Sequence, residues 1–402
     1  MENNTQLKEM IRSMVIDILQ GQKQEMASSQ PIKQAPRGQV EPGVFDTVDE
    51  AIQAAKAAQA RFEDCTLATR EKVIADIRAA MRPRVQELAQ KTVDETGMGR
   101  VADKVLKLNL TLNKTPGVED LVTECETGDN GMTLYELSAY GVIGAITPST
   151  NPAETLICNS IGMLAAGNAI FFSVHPGAKN LSRELVSELN QVIAKSIGIE
   201  NLIVTLREPS IESAQEMMLH PDVSLLVVTG GPGVVKQALQ SGKKVIGAGA
   251  GNPPAFVDET ADIKKAAQDI VLGASLDNNI LCIAEKSVVA MRQIEPQLVQ
   301  EMVKAGCILV ENQQDIQRLV DLTVLPNGTP NKKFVGKNAS VILDAAHIPY
   351  NGDPRLIIMR APKNHPFAVI EMLMPILPVV TVDSFDEGLD VCLMLEAGLH
   401  HT

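Results

Sequence analysis

Six cysteines are scattered through the 402 residues, and one of them stands where a nucleophile could work. Cys282 follows Asn278-Asn279 and precedes Ala284-Glu285-Lys286, a polar neighbourhood that reads as exposed. A reactive cysteine needs partly exposed surroundings that favour its thiolate. Cys158 falls inside a helical pattern, and Cys307 and Cys392 lie in apolar runs, so these three read as inert core thiols. Pattern alone leaves Cys282 either an attacking thiol or an ordinary one. The six histidines show no metal-ligand spacing, and no metal is assigned.

Two turns carry groups suited to binding. Thr147-Pro148-Ser149-Thr150-Asn151-Pro152 combines loop-fixing prolines with hydroxyl and amide groups next to a helix start. Thr229-Gly230-Gly231-Pro232-Gly233 lets backbone approach a ligand, and its free N–H groups at a helix start suit a phosphate. Neither is a dinucleotide or P-loop fingerprint, and either could be plain structural punctuation. Gly247-Ala248-Gly249-Ala250-Gly251-Asn252-Pro253-Pro254 dissolves a strand into small residues, which implies either a wall pressed by a ligand or a tight sheet crossing.

The elements that must hold these turns follow from periodicity. Helical patterns cover 47–61 and 69–95, and extended chain over 128–137 sits behind an Asp129-Asn130-Gly131 turn signal. Short apolar strands at 140–146, 169–173, 202–206, 223–229 and 244–247 then alternate with helices at 153–166, 181–197, 211–219 and 233–240. That alternation means βαβ units and a parallel doubly wound α/β sheet, with its crevice at the strand C-terminal ends. A second α/β segment begins beyond Asp258, with a helix near 263–273 and apolar runs at Val288, Cys307 and Pro375. The expected domains are therefore 43–258 for a nucleotide-binding unit and 259–402 for a second one.

The chain start is different. Leu7, Met10, Ile11, Met14, Val15, Ile18 and Leu19 line one face of an amphipathic helix over residues 1–20. Residues 21–42, rich in Gln, Ser, Pro and Gly, form a flexible linker. A lone helix this short is marginal in water and folds stably only against a partner surface; pattern alone leaves it either such a docking helix or an ordinary oligomer-contact or disordered tail.

Composition narrows the function classes. A net charge of −13, 3% aromatics and no Trp oppose nucleic-acid binding. No stretch approaches the roughly 20 apolar residues that span a bilayer. Scattered cysteines without a signal peptide suit a reducing cytosol.

Seven segments in order carry a resemblance: E-T-G-M-G-R at Glu95, T-P-S-T-N-P at Thr147, A-A-G-N at Ala165, H-P-G-A-K at His175, T-G-G-P-G at Thr229, G-A-G-A-G-N-P-P at Gly247 and C-I-A-E-K-S at Cys282. Together they resemble the CoA-acylating propionaldehyde and acetaldehyde dehydrogenases of bacterial microcompartments, in the aldehyde dehydrogenase superfamily. The likeness implies a Rossmann-type NAD-binding domain, a catalytic α/β domain and a small oligomerisation β segment at about 125–141. It implies that Cys282 attacks the aldehyde, that Thr150 and Asn151 help hold the oxyanion, and that CoA takes the acyl group. Thr147, Pro148, Ser149, Thr229, Gly230, Gly231, Gly233 and Gly249 then line the dinucleotide site. His175 and Pro176 fall at its adenosine half, and Glu371 holds the nicotinamide ribose. Residues 1–20 resemble an encapsulation peptide that docks on shell or co-encapsulated enzymes, for a homo-oligomer, dimer or tetramer, inside a microcompartment of the bacterial cytoplasm.

Hydrolytic relatives carry a water-activating glutamate where Ala248 stands by this likeness, so acyl-CoA, not acid, is the expected product. The resemblance leans towards propanal over acetaldehyde, in 1,2-propanediol or ethanolamine breakdown. It also implies several dozen further residues beyond His400-His401-Thr402, so the chain reads as C-terminally short. Rival readings are a non-acylating NAD(P)-dependent aldehyde dehydrogenase, an inactive microcompartment scaffold component, and a glutamyl phosphate reductase.

Overall fold

The computed structural model describes residues 41–400, so the amphipathic helix and most of the linker expected at the chain start lie outside the described residues. A short strand β1 (Val44–Phe45) leads into helix α1 (Val48–Glu63), capped by Thr47, whose side chain accepts the Glu50 N–H at 3.4 Å. The stretch expected as one helix over 69–95 is two, α2 (Leu67–Met81) and α3 (Val85–Thr96), with a 3-10 turn at Arg82–Arg84 between them. Pro83 explains the break, because it lacks an N–H and crowds the preceding turn. Gly97, at φ 67, closes α3 in the left-handed conformation that glycine adopts without penalty.

Helix α4 (Val101–Lys114) escaped the periodicity reading. Leu106, Leu108, Leu110 and Leu112 alternate with polar residues and mimic a strand. Only Leu108 and Leu112 are buried, whereas Leu106 and Leu110 face outward, as helical spacing requires. Next comes an antiparallel hairpin, β2 (Glu124–Gly128) and β3 (Gly131–Tyr135), turning at Asp129-Asn130 and exposed throughout.

The doubly wound sheet follows as expected. Its strands are β4 (Val142–Ile146), β5 (Ala169–Ser173), β6 (Ile203–Leu206), β7 (Val223–Thr229) and β8 (Lys244–Ala248). Helices α5 (Pro152–Ala165), α6 (Lys179–Ile197), α7 (Ile211–Leu219) and α8 (Pro232–Leu239) connect them. The order β1-β6-β5-β4-β7-β8 is all parallel, so the chain reverses its winding between β4 and β7. A ligand crevice belongs at the C-terminal ends of those two strands.

The second sheet contains β9 (Pro254–Val257), β10 (Ser287–Met291), β11 (Cys307–Leu309), β12 (Leu356–Arg360) and β13 (Ile376–Val382), ordered β11-β12-β13-β10-β9 and again parallel. It is flanked by α9 (Ile263–Ser275), α10 (Glu295–Lys304), α11 (Gln313–Thr323), α12 (Ala339–Ala345), α13 (Pro366–Val369) and α14 (Phe385–Glu396). Alternate residues serve opposite faces: Leu356 and Ile358 enter one core, Ile357 and Met359 another. Because β9 pairs with β10, the changeover between sheets falls at 249–253, a little before the 258 read from sequence. The changeover segment ends on Pro253, and Pro254 opens β9; their missing N–H groups suit a crossing and a strand start better than a strand interior.

Candidate active site

The turns singled out for binding lie along one edge of the first sheet. Ile146 pairs with Ser173 on one side and Val228 on the other, and Thr229 pairs with Ala248. Hence Thr147–Pro152, His175-Pro176, Thr229–Gly233 and Gly249 all follow the C-terminal ends of four adjacent parallel strands. Pro152 opens α5, Pro232 opens α8, and Pro176 opens a 3-10 turn whose Gly177 N–H donates to His175 Nδ1 at 3.0 Å. Desolvation by its neighbours, then the positive charge of Lys332, holds His175 below the usual imidazole range. Thr147 Oγ1 is buried without a hydrogen-bond partner. This edge fits a dinucleotide.

The remaining candidates lie on the second sheet. Cys282 precedes β10, Glu371 precedes β13, and 249–253 enters β9, so all three lie at the N-terminal edge of that sheet. Glu371 accepts the Gly251 N–H on Oε1 at 3.0 Å. The Cys282 thiol is half-buried. Burial, then the Glu371 charge, push it above its ordinary value, against the pull of the Lys286 ammonium. Lys286 is only 3% exposed and is held down at about 8, by burial first, with Glu371 and Cys282 opposing. Its Nζ donates to Asn279 Oδ1 and Leu281 O, each at 2.6 Å, and so pins the turn that carries the thiol.

That turn is unusual. Asp277, Asn278 and Asn279 all have left-handed φ, at 50°, 57° and 63°. Short polar side chains tolerate this region best, yet each such residue is strained by roughly 1–2 kcal/mol. Side-chain bonds compensate: Asn278 Nδ2 donates to Gly336 O and Asn338 Oδ1 at 2.8 Å, and Asn279 Nδ2 donates to Ala274 O at 2.7 Å. Asn278 and Asn279 are therefore buried, contrary to the exposed region expected from their polarity. Polarity was answered by internal partners, not by water.

Sequence reasoning missed the buried charges beneath this turn. Asp277, fully buried, accepts the Arg100 N–H at 2.9 Å and pairs with Lys104 Nζ at 2.9 Å and with Lys107. Its own N–H donates to Asp103 Oδ2 at 2.9 Å. Lys104 Nζ also donates to Thr150 O at 2.6 Å, and Lys107 Nζ donates to Asn151 Oδ1. The catalytic candidates Thr150 and Asn151 are thus tied to the segment leading into Cys282. A faint signal existed: Lys104 shares the i, i+4, i+8 stripe of Leu108 and Leu112, where a solvated lysine would not stand. Glu95, the first residue of E-T-G-M-G-R, caps α6 by accepting the Asn180 and Leu181 N–H groups at 2.9 and 2.8 Å.

Of the remaining cysteines, Cys307 is buried and its thiol is pushed up to about 12, and Cys392 is half-buried at about 11, both through burial. Cys158 corrects the expectation, because it lies on the outward face of α5 and not in the core. Among the described residues no helix is long and apolar enough to cross a membrane.

Comparison with known proteins adds the family. The aldehyde dehydrogenase family model matches residues 18–401. The chain belongs to the aldehyde dehydrogenase family. Within it, a CoA-propanoylating propanal dehydrogenase of Salmonella typhimurium is 47% identical over 401 residues, 100% of this chain and 84% of that one. An acetylating acetaldehyde dehydrogenase of the same organism is 44% identical, over 90% of this chain and 78% of that one. Among solved aldehyde dehydrogenases, the propionaldehyde dehydrogenase of Rhodopseudomonas palustris with bound propionyl-CoA is 45% identical at a TM-score of 0.87, covering 91% of this chain and 83% of that one. The propionaldehyde dehydrogenase of a Clostridium phytofermentans fucose utilisation microcompartment is 46% identical at a TM-score of 0.86, covering 89% and 82%.

Proposed function

We propose that this aldehyde dehydrogenase oxidises a short aldehyde, propanal ahead of acetaldehyde, with NAD and CoA to give acyl-CoA and NADH. The observation that carries this is the half-buried Cys282 under the influence of Lys286 and Glu371, on a turn that Lys104 and Lys107 tie to the Thr150-Asn151 loop. The Cys282 thiolate adds to the carbonyl carbon, and the new C–O⁻ is met by donors at the Thr150-Asn151 loop and the Cys282 backbone N–H. When bound, the nicotinamide supplies the acceptor for the hydride that leaves this carbon. Thr147–Ser149, His175-Pro176, Thr229–Gly233 and Gly249 would line that cofactor, with Glu371 towards its ribose and with Gly251 N–H fixing one carboxylate oxygen. The resulting thioester is attacked by the CoA thiolate, and collapse expels the Cys282 thiolate with acyl-CoA as product. Residues 247–251 bring no carboxylate that could deprotonate water, which favours thiol over hydrolytic release.

A CoA-dependent NADH assay with propanal and acetaldehyde tests the mechanism. Cys282→Ala abolishes turnover on this reading, and activity surviving it, or free acid formed at full rate without CoA, removes the reading.

The partners follow the same logic. The solved relative from a microcompartment and the amphipathic pattern of residues 1–20 support attachment to shell or co-encapsulated enzymes. Deleting residues 1–20 then abolishes co-sedimentation with shell material and spares turnover. The exposed hairpin, with Met132 and Leu134 outward, supports pairing with a second copy in a homo-oligomer. A monomer by light scattering would refute that.

A further inference from the structure

The Asn151 amide is poised by something other than its own helix. Asn151 stands at the N-cap of α5, where an asparagine ordinarily accepts an N–H of the first turn, yet its side chain makes no such bond. Oδ1 instead accepts from Lys107 Nζ. An ammonium only donates, so the carbonyl end is fixed against Lys107; Nδ2 donates one hydrogen to Thr150 Oγ1 at 3.2 Å and keeps a second for another acceptor. Lys107 in turn is clamped by two carboxylates, Asp277 by hydrogen bond and Glu154 Oε1 at 3.3 Å, in a site where it is 7% exposed.

We infer that Lys107 is a positioning residue that locks the Asn151 amide with Nδ2 towards the reacting carbonyl and ties it to the Asp277 turn that leads into Cys282. This rests on the reading of Asn151 as an oxyanion donor. Lys107 touches neither aldehyde nor cofactor and acts through the amide alone. Burial by itself lowers its affinity for the proton, but Glu154 and Asp277 more than reverse this, so the ammonium stays charged across the working pH range. The same cation therefore satisfies both sides of the joint. Lys104, one turn back on α4, completes it by donating to Thr150 O at 2.6 Å while pairing with the same Asp277 carboxylate oxygen.

A double-mutant cycle on the full chain, read as kcat and KM in the CoA-dependent NADH assay, tests the assignment. Asn151→Ala lowers kcat by about 100–1000-fold, the range for loss of one oxyanion donor. Lys107→Met lowers kcat by about 10–100-fold and leaves the aldehyde KM within about 3-fold, as misplacement of one donor does. In the Asn151→Ala background the same Lys107→Met change has almost no further effect, because the group it orients is gone. Iodoacetamide labelling of Cys282 stays within about 3-fold in all variants, since thiolate formation does not need the amide. If Lys107→Met yields no folded protein, Lys107→Arg, which keeps the charge facing Asp277 and Glu154 but not the point donor, is run through the same cycle with the same non-additivity expected. Equal kcat losses from the lysine change in both backgrounds overturn the positioning role while leaving the donor reading intact. Wild-type kcat in Asn151→Ala overturns the donor reading itself.

Discussion

Replacing Lys286 by methionine separates what the buried ammonium does for stability from what it does for the thiol. In the folded chain this lysine holds its proton with a pKa of about 8, against 10.5 ordinarily, so carrying the charge at pH 7 is worth about 3 kcal/mol against folding. Methionine removes that penalty. It also strands Asn279 Oδ1, whose amide cannot turn because Nδ2 is held by Ala274 O and Glu285 O. Leu281 O keeps the Ala284 N–H at 3.1 Å, but Asn279 O, which Nζ holds at 3.2 Å, is stranded with Oδ1, so two orphaned acceptors cost about 2–6 kcal/mol. The two effects largely offset each other, and stability at pH 7 changes by less than about 3 kcal/mol. The pH dependence does not cancel. With the folded pKa below the unfolded one, the unfolded chain binds more protons between pH 8 and 10.5, so the wild type gains stability as pH rises through that window. Urea denaturation should show the wild type gaining about 2 kcal/mol over Lys286→Met between pH 7 and 9.5. A gap that is flat with pH, or that moves towards the variant, refutes the buried-ammonium argument. In the same variant, iodoacetamide labelling of Cys282 slows at pH 8, because a charge that favours the thiolate has gone.

Three further outcomes follow from the same geometry. Glu371→Gln removes an anion that pushes the Cys282 thiol up, so the labelling profile moves to lower pH while the KM for NAD rises; a profile that stays put denies their proximity. Asp277→Asn leaves Lys104 and Lys107 facing each other with Glu154 as the remaining counter-charge, and should lower stability by about 3–5 kcal/mol in urea titration, against about 0–1 kcal/mol for an exposed pair such as Lys265–Asp269. Gly388→Ala in α14 meets the Phe256 ring, itself packed on Phe385 at 5.2 Å between centroids. The gain of roughly 1 kcal/mol in helix propensity is outweighed by overpacking, for a net loss of about 1–2 kcal/mol; a rise in melting temperature would show that the ring moves freely.

What the sequence by itself determined is the part ruled by local chemistry. The alternation of apolar strands with amphipathic helices from residue 140 onward was legible because the central strands β4, β5 and β6, buried throughout, must be apolar throughout, and the glycine and proline turns between them mark where chain direction changes. Cys282 was legible as a candidate, since it alone of the cysteines weighed sat among polar residues, and the ordered segments from Glu95 to Cys282 carried the family likeness. The tertiary structure decided which polar residues are inside. Asp103, Lys104, Lys107, Asp277, Asn278, Asn279 and Lys286 read as solvated side chains one by one, because each would be costly to bury alone. They are buried together, drawn from segments whose paired residues lie 170 to 174 apart in sequence, and each supplies the partner that another lacks. Helix α4 was hidden by its alternating leucines, and although Lys104 on the apolar stripe hints at burial, nothing within 14 residues of local sequence can announce the Asp277 counter-charge that arrives from elsewhere.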